Sequence, residues 1–360
     1  MFIGVYLWLE YMDSIIGCIL GTAVGDAMGL PYESLSRQRQ QRLYPTIQSH
    51  HLCCGRGMVS DDTEHTCLTA QAMIVAAGDV TTFRASLAAQ LRHWFLGLPA
   101  GTGLATLKAC VRLCLGADFE RSGVFSAGNG PSMRSAIIGV CYGHDLVKLR
   151  ELVRASTRLT HTDPKAEYGA FAVALAAHLA GTQRTLAPQH YYDALHAALE
   201  DEAHEFLELV RKVVASVTAG QSTEAFTAEI CPSYGVTGYT YHTVPAALHA
   251  WLRHQQDYRA AVIEIIRCGG DTDSTAAIVG GIVGASVGKA GIPQEWLDGL
   301  MEWPRSVRWM EELGQRLAQV CSRGEAQRAL PVPFYQLFLR NLFFLLVVLA
   351  HGFRRLLPPY

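Results

Sequence analysis

Little in this sequence would hold a polyanion. Its 30 basic residues are outnumbered by 32 acidic ones, for a formal net charge of −2. No basic stripe stands out, which excludes a general electrostatic grip on a nucleic-acid backbone. A C-x-x-C pair is also missing. The ten cysteines include the neighbours Cys53 and Cys54, and Cys67, Cys110 and Cys114 stand in apolar runs, as small core residues do. There is no frame for disulfides or a zinc ribbon, and the chain reads as one kept in a reducing, cytoplasmic compartment. Met1 to Glu10 are apolar but lack a basic leader and a small-residue cleavage site, so they do not make a secretory signal. Met12 lies just before the first strong pattern, Asp13-Ser14-Ile15-Ile16-Gly17. Residues 1–12 are therefore an N-terminal extension, either a packing segment or a mis-assigned start. Alternating strands bounded by tight turns are absent, and no repeat period emerges.

What the chain does have is apolar helical periodicity. Half of its 360 residues are hydrophobic and 17% are charged, a globular composition long enough for a large core. Ala-, Leu- and Val-rich stretches with one wet face recur: His65 to Ala77, Thr82 to Leu98, Asp145 to Ser156, Ala166 to Ala180 and Tyr191 to Glu200 in the first part. Ala203 to Ala219, Val244 to Arg253, Tyr258 to Arg267, Thr275 to Ala290 and Glu311 to Ser322 follow. The expected architecture is one all-α domain over residues 13–323. Two helices carry glycines four apart, Gly17, Gly21 and Gly25 in the first, and Gly280 (or Gly281), Gly284 and Gly288 in the second. Each glycine costs about 1 kcal/mol against alanine in a helix interior. Close approach of two buried backbones would offset that cost, so the stripes are expected to be packing seams.

Residues 324–360 form a linker, with Gly324, Pro331 and Pro333, and an apolar tail. Arg340 and Asn341 interrupt the tail, leaving the clean run Leu342 to Ala350, shorter than the roughly 20 residues a spanning helix needs. A docked terminal helix, a membrane-surface helix with Arg354 and Arg355 at the headgroups, and a spanning anchor all remain open.

Chemistry concentrates at two expected helix starts. The first is Ser60-Asp61-Asp62-Thr63-Glu64 and the second is Gly269-Gly270-Asp271-Thr272-Asp273-Ser274-Thr275. Helix capping accounts for one oxygen side chain at each start. It does not account for two carboxylates in each, with hydroxyls woven between. Clustered carboxylates repel unless a cation neutralises them. Oxygen-only donors, with no His or Cys among them, select hard ions such as Mg2+, Mn2+ or Ca2+. Ser126-Ala127-Gly128-Asn129-Gly130 is rich in glycine and polar groups, as a phosphate nest requires, though Asn-Gly is equally an ordinary turn pair. His161, before Asp163-Pro164, is either a substrate contact or a helix-end hydrogen bonder. Tyr239, Tyr241 and His242 read as structural aromatics before a stacking site.

Taken together, these blocks resemble the ADP-ribosylglycohydrolase family. The resemblance rests on Gly17 to Gly29 followed by Glu33, on Ser60 to Glu64, on Gly128 to Arg134 with Thr160 to Pro164, and on Gly269 to Thr275. It spans roughly Asp13 to Trp309. It implies a multi-helix domain with a binuclear metal cleft. Ser60, Asp61 and Asp62 would hold one half of a two-Mg2+ site, with Mn2+ as a substitute, and Asp271, Asp273 and Ser274 the other half. It further implies that Glu33 and Asp62 act catalytically, that Ser126, Gly128, Asn129 and Gly130 cradle a diphosphate, and that His161 lies near the nucleotide. Ser60 and Ser274 stand where threonine is common, and they keep the hydroxyl. The implied reaction is removal of ADP-ribose from an acceptor on a modified protein. The alternatives are hydrolysis of free ADP-ribose derivatives, or non-catalytic ADP-ribose binding in an immunity-type partner.

Overall fold

The computed structural model describes residues 2–356 apart from 53 and 184, without the side chains of 2–6 and 201, so Cys53 and residues 357–360 of the tail lie outside the description. The described chain is helical throughout. Its first half runs α1 (Phe2–Gly29), α2 (Arg37–Leu43), α3 (Asp61–Ala76), α4 (Val80–Leu96), α5 (Leu104–Cys114), α6 (Ala136–Tyr142), α7 (Leu146–Arg158), α8 (Pro164–Thr182) and α9 (Pro188–Leu199). The second half adds α10 (His204–Thr218), α11 (Thr223–Ile230), α12 (Thr240–Arg253), α13 (Tyr258–Arg267), α14 (Thr272–Val287), α15 (Gln294–Gly299), α16 (Val307–Arg323) and α17 (Phe334–Arg354). Among the described residues there is no sheet, only five isolated bridges between loops.

Local chemistry sets the helix starts. Side chains of Ser60, Asp79, Asp145, Asp163, Ser222, Asp257 and Ser306 each accept a backbone N–H in the first turn of the helix that follows, which satisfies donors the helix itself cannot. The sequence places α12 at Val244, but it begins four residues earlier, at Thr240, and carries Pro245 inside. Helix α1 runs through Met12 without a break, so the expected extension is the start of the central helix.

The core is built on α1 and α14, which pack along their glycine stripes. A Cβ on Gly21 would lie 2.2 Å from the carbonyl oxygen of Gly280, and one on Gly17 would lie 2.2 Å from that of Gly284. Tyr258 seals the seam by donating to the Gly21 carbonyl at 2.6 Å. At its end the Thr272 hydroxyl donates to the Gly29 carbonyl at 2.9 Å. The seam thus fixes the exit of α1 against the start of α14, where two of the acid-bearing segments lie. Gly21→Ala is expected to cost about 3 kcal/mol, since neither backbone has room to give. In a thermal melt that is a midpoint lower by about 5 °C for a chain of this size; an unchanged midpoint would contradict the seam.

The tail docks. Among the described residues two helices are long and apolar enough to cross a membrane by length and composition, Leu7–Tyr32, buried in the core from Ser14 onward through Tyr32, and Phe334–Arg354. The second lies on the domain through its interrupting polar residues. Arg340 is buried and bonds both Glu302 carboxylate oxygens (2.6 and 3.1 Å) and the Val59 carbonyl (2.6 Å). Asn341 donates to the Gly97 carbonyl at 2.8 Å. Arg355, placed at lipid headgroups in the membrane-surface reading, turns inward instead and bonds backbone carbonyls of Pro31 and Glu33. The outer face keeps an exposed stripe that includes Tyr335, Leu339, Leu342, Leu346, Leu349 and Phe353. The linker before α17 is also held, because Gln71 exchanges two hydrogen bonds of 2.8 Å with the Leu330 backbone.

Candidate active site

The two acid clusters meet. Ser60 caps α3 and donates its hydroxyl to Asp62 Oδ2 at 3.0 Å. Ser274, in the first turn of α14, donates to the same oxygen at 3.2 Å. The start of α3 is anchored on Asp26 of α1, which is fully buried. Its carboxylate accepts from the Ser60 backbone (3.0 Å), the Thr63 backbone (3.1 Å) and the Thr63 hydroxyl (2.5 Å). Asp26 is not among the residues that line the cleft described below, and its work is to aim Asp61 and Asp62. Across from it, Asp271 Oδ2 accepts from the Asn129 amide at 2.7 Å, and that amide is also bonded to Thr243 at 3.1 Å. The Asn129 side chain is therefore spent on orienting Asp271, and its backbone N–H donates to the Gly238 carbonyl at 2.9 Å.

Glu33 joins them through a laced set of loops. Ser34 takes a left-handed conformation (φ 61°) and donates to the Gly270 carbonyl at 2.7 Å, while Gly270 donates to Leu35 at 3.0 Å. Gly270 itself has φ 84°, and a Cβ there would sit 1.9 Å from the Val236 carbonyl oxygen. Asp271 then donates to that same carbonyl at 2.8 Å. The glycine pair before Asp271 is thus what lets the Glu33 loop, the 235–238 loop and the α14 start close on one another.

The opposite wall holds the loop and histidine singled out in the sequence. Gly128 donates to the Ser126 hydroxyl at 3.3 Å. The glycines at 128 and 130 do not have positive φ; they make space, since a Cβ on either would fall 3.0 Å from the His161 ring. His161 is buried, and burial followed by Arg134 pushes its pKa down to about 3, so it is neutral. Its Nδ1 lies 2.9 Å from Thr160 Oγ1, which itself receives Arg134 at 2.8 Å. The Thr160 hydroxyl thus stands between Arg134, the Thr157 carbonyl at 3.5 Å and the imidazole, and it holds the ring in place. Arg134, fully buried, also bonds Ser156 and the Gly130 carbonyl and so ties the loop to α7.

These walls enclose a cleft of about 530 Å3 lined by Glu33, Asp61, Asp62, Asp271, Asp273 and Ser274, with Ser126, Gly128, Asn129, Gly130 and His161 opposite. Ser60 stands behind it, against Asp62. No Lys or Arg is among the lining residues. Burial, then mutual repulsion, holds Asp61, Asp62 and Asp273 well above the usual carboxylate range. Burial and then Asp271 raise Glu33 to about 7, and burial raises Asp26 to about 6. Two buried carboxylate oxygens, Asp62 Oδ1 and Asp273 Oδ1, have no hydrogen-bond partner.

Orphaned anionic oxygens inside a cation-free acidic wall are costly unless something positive meets them. The donor set, carboxylates and hydroxyls only, fits hard divalent ions. Among the described residues no three acidic, His or Cys side chains converge as a finished cage. The ligand shell would therefore be completed by hydroxyls and by groups from solution, as Mg2+ favours.

Glu64 and Asp26 behave unlike their sequence context. Glu64, inside the first block, points away and pairs with Arg305 and Trp94 at 2.7 Å each. Tyr239, Tyr241 and His242 do not line the cleft, in keeping with their reading as structural aromatics, whereas Tyr234 does. Asp26 had one signal in sequence, a single acid in the apolar stretch that follows Asp13.

Comparison with known proteins gives a consistent picture. A family model described as ADP-ribosylglycohydrolase matches residues 8–327. A protein of undescribed activity from Archaeoglobus fulgidus is 31% identical, covering 85% of this chain and 96% of its own. ADP-ribosyl-[dinitrogen reductase] glycohydrolase of Rhodospirillum rubrum is 25% identical over 82% of this chain and 93% of its own. Among solved structures, an ADP-ribosylglycohydrolase-related protein complex superposes with a TM-score of 0.68 at 26% identity, covering 87% of this chain and 99% of that one.

Proposed function

The chain belongs to the ADP-ribosylglycohydrolase family, whose members are glycosidic-bond hydrolases, and on that premise we propose that it uses two Mg2+ ions to release ADP-ribose from an acceptor side chain of a modified protein. The observation that carries the metal reading is the pair of partnerless buried oxygens, Asp62 Oδ1 and Asp273 Oδ1, in a wall without cations. Ser60, Asp61 and Asp62 would hold one ion, and Asp271, Asp273 and Ser274 the other; Mn2+ would substitute. Bound there, the ions supply charge neutralisation, a grip on ribose hydroxyls and a more acidic water.

The chain's own groups do the rest. The loop from Gly128 to Gly130 and the His161 ring meet the diphosphate, and Asn129 keeps Asp271 aimed. A water oxygen bonds to C1'' of the distal ribose as the bond from C1'' to the acceptor nitrogen or oxygen breaks, through an oxocarbenium-like transition state. The water gives up its proton and the leaving atom gains one. Glu33 and Asp62 carry those transfers.

The test is release of ADP-ribose from arginine- and from serine-modified protein, in Mg2+ and in EDTA. Release from one acceptor in Mg2+, cut at least about a hundredfold by EDTA, is the expected result. Release indifferent to EDTA would remove the metals. Binding of free ADP-ribose with no release from either protein would turn the reading toward free ADP-ribose derivatives or a non-catalytic reader.

A further inference from the structure

Helix α17 lies beyond the matched span, which ends at residue 327, yet its polar residues grip both acidic rims of the cleft. At its middle, Arg340 donates to the Val59 carbonyl, one residue before Ser60, while Glu302 accepts from the Val59 backbone at 2.9 Å and pairs with Arg340. At its end three donors converge on residues 31–33. His351 Nε2 donates to the Pro31 carbonyl at 3.0 Å, Arg355 donates to the same carbonyl at 2.5 Å, and Arg355 also donates to the Glu33 carbonyl at 2.8 Å. The Arg355 carbonyl in turn accepts from Arg39 of α2.

These bonds add to those of the strap's own N–H groups, where Ser34 donates to the Gly270 carbonyl at 2.7 Å and Leu35 to the Tyr32 carbonyl at 3.1 Å, and they hold it from the carbonyl side. Between the 30–32 helical turn and the bridge at Leu35 stand only Glu33, half-buried, and Ser34, exposed. A fork of two N–H donors onto two carbonyls fixes the direction of that short strap, because a planar guanidinium cannot swing without losing both bonds.

We propose that Arg355 is a positioning residue, and that the C-terminal helix is a clasp which sets Glu33 at the reacting centre. The inference rests on the reading of Glu33 given above. Arg355 bonds the backbone of the Glu33 strap and its charge opposes the rise of the Glu33 carboxyl, so its effect belongs on turnover and not on binding of the nucleotide portion, which meets the opposite wall.

The experiment compares four full-length proteins in Mg2+: wild type, Arg355→Ala, Glu33→Gln and the double variant, with Arg355→Lys as the conservative control. Displacing a reacting group by an ångström costs on the order of a hundredfold. Arg355→Ala is therefore expected to lower kcat by about ten- to a hundredfold. KM should stay within about twofold and the melting midpoint within about 2 °C, as for loss of a partly exposed contact. Arg355→Lys should restore part of kcat, and Arg355→Ala should cost nothing further once Glu33 is Gln. Normal kcat in Arg355→Ala beside an impaired Glu33→Gln would overturn the clasp alone. So would an equal loss in the Glu33→Gln background, which places the effect elsewhere. Normal kcat in Glu33→Gln would instead overturn the reading of Glu33, and the clasp with it.

Discussion

Asp273→Asn is expected to abolish turnover while making the metal-free protein more stable. Asp273 is buried, and its Oδ1 has no partner. Burial, then Glu33, Asp271 and Asp62, raise its pKa well above the carboxylate range. An acid whose pKa is higher folded than unfolded adds stability below its unfolded value, and that stability is lost as pH rises through the folded value. For this cluster the window opens at about pH 4, the ordinary carboxylate value, and extends at least to about 7, where Glu33 titrates. In EDTA the melting midpoint of wild type should fall between about pH 5 and about pH 8. The fall should be smaller for Asp273→Asn and smaller again for wild type in saturating Mg2+, because ions that bind only the folded state stabilise it. Turnover in Mg2+ should drop by at least about a thousandfold, since loss of a ligand removes several kcal/mol of transition-state stabilisation. Near-normal turnover, or a lower midpoint in EDTA at neutral pH, would contradict the assignment. Sites that store repulsion for later use show this trade of stability against activity.

Arg340→Ala is expected to be the most damaging change far from the chemistry. Arg340 and Glu302 are both buried, with side chains 2% and 3% exposed, and their contact is bidentate. The guanidinium also covers the Phe344 ring at 4.5 Å. Truncating it strands a buried carboxylate, which costs about 3–5 kcal/mol. Burial already holds Glu302 above the usual range despite Arg340, so the stranded acid has little to fall back on. Urea unfolding gives the number directly. A loss within about 0.5 kcal/mol, the scale of an exposed ion pair, would mean that α17 is only appended.

Much of this was legible in the residues. The seam between α1 and α14 was readable because four-residue glycine spacing has few other uses in a buried helix. The acid pairs were readable because capping explains one oxygen and not four. Helices with one wet face were found to within a few residues at most ends, and capping Ser and Asp residues moved the starts earlier. The missed parts are those whose meaning is tertiary. Asp26 becomes intelligible only when the start of α3 lands on it. Glu64 shares the acidic block but is turned to Arg305 by the helix rotation. Asn129 sits in a phosphate-like loop, yet its amide faces Asp271. Arg340 interrupts an apolar run and Arg355 follows it, where in a linear sequence it looks like a membrane flank; only the fold shows carbonyls and a carboxylate waiting for them. Helix α5 is not among the helices read from the sequence, although Leu104 to Cys114 has a clear apolar face.

The most direct test of the central claim is calorimetric titration of the metal-free, full-length protein with Mg2+, beside the Asp273→Asn variant. The account predicts two ions bound per wild-type chain and one or none in the variant, with both proteins folded. Folded wild type that takes up no Mg2+ and still releases ADP-ribose in EDTA would contradict it.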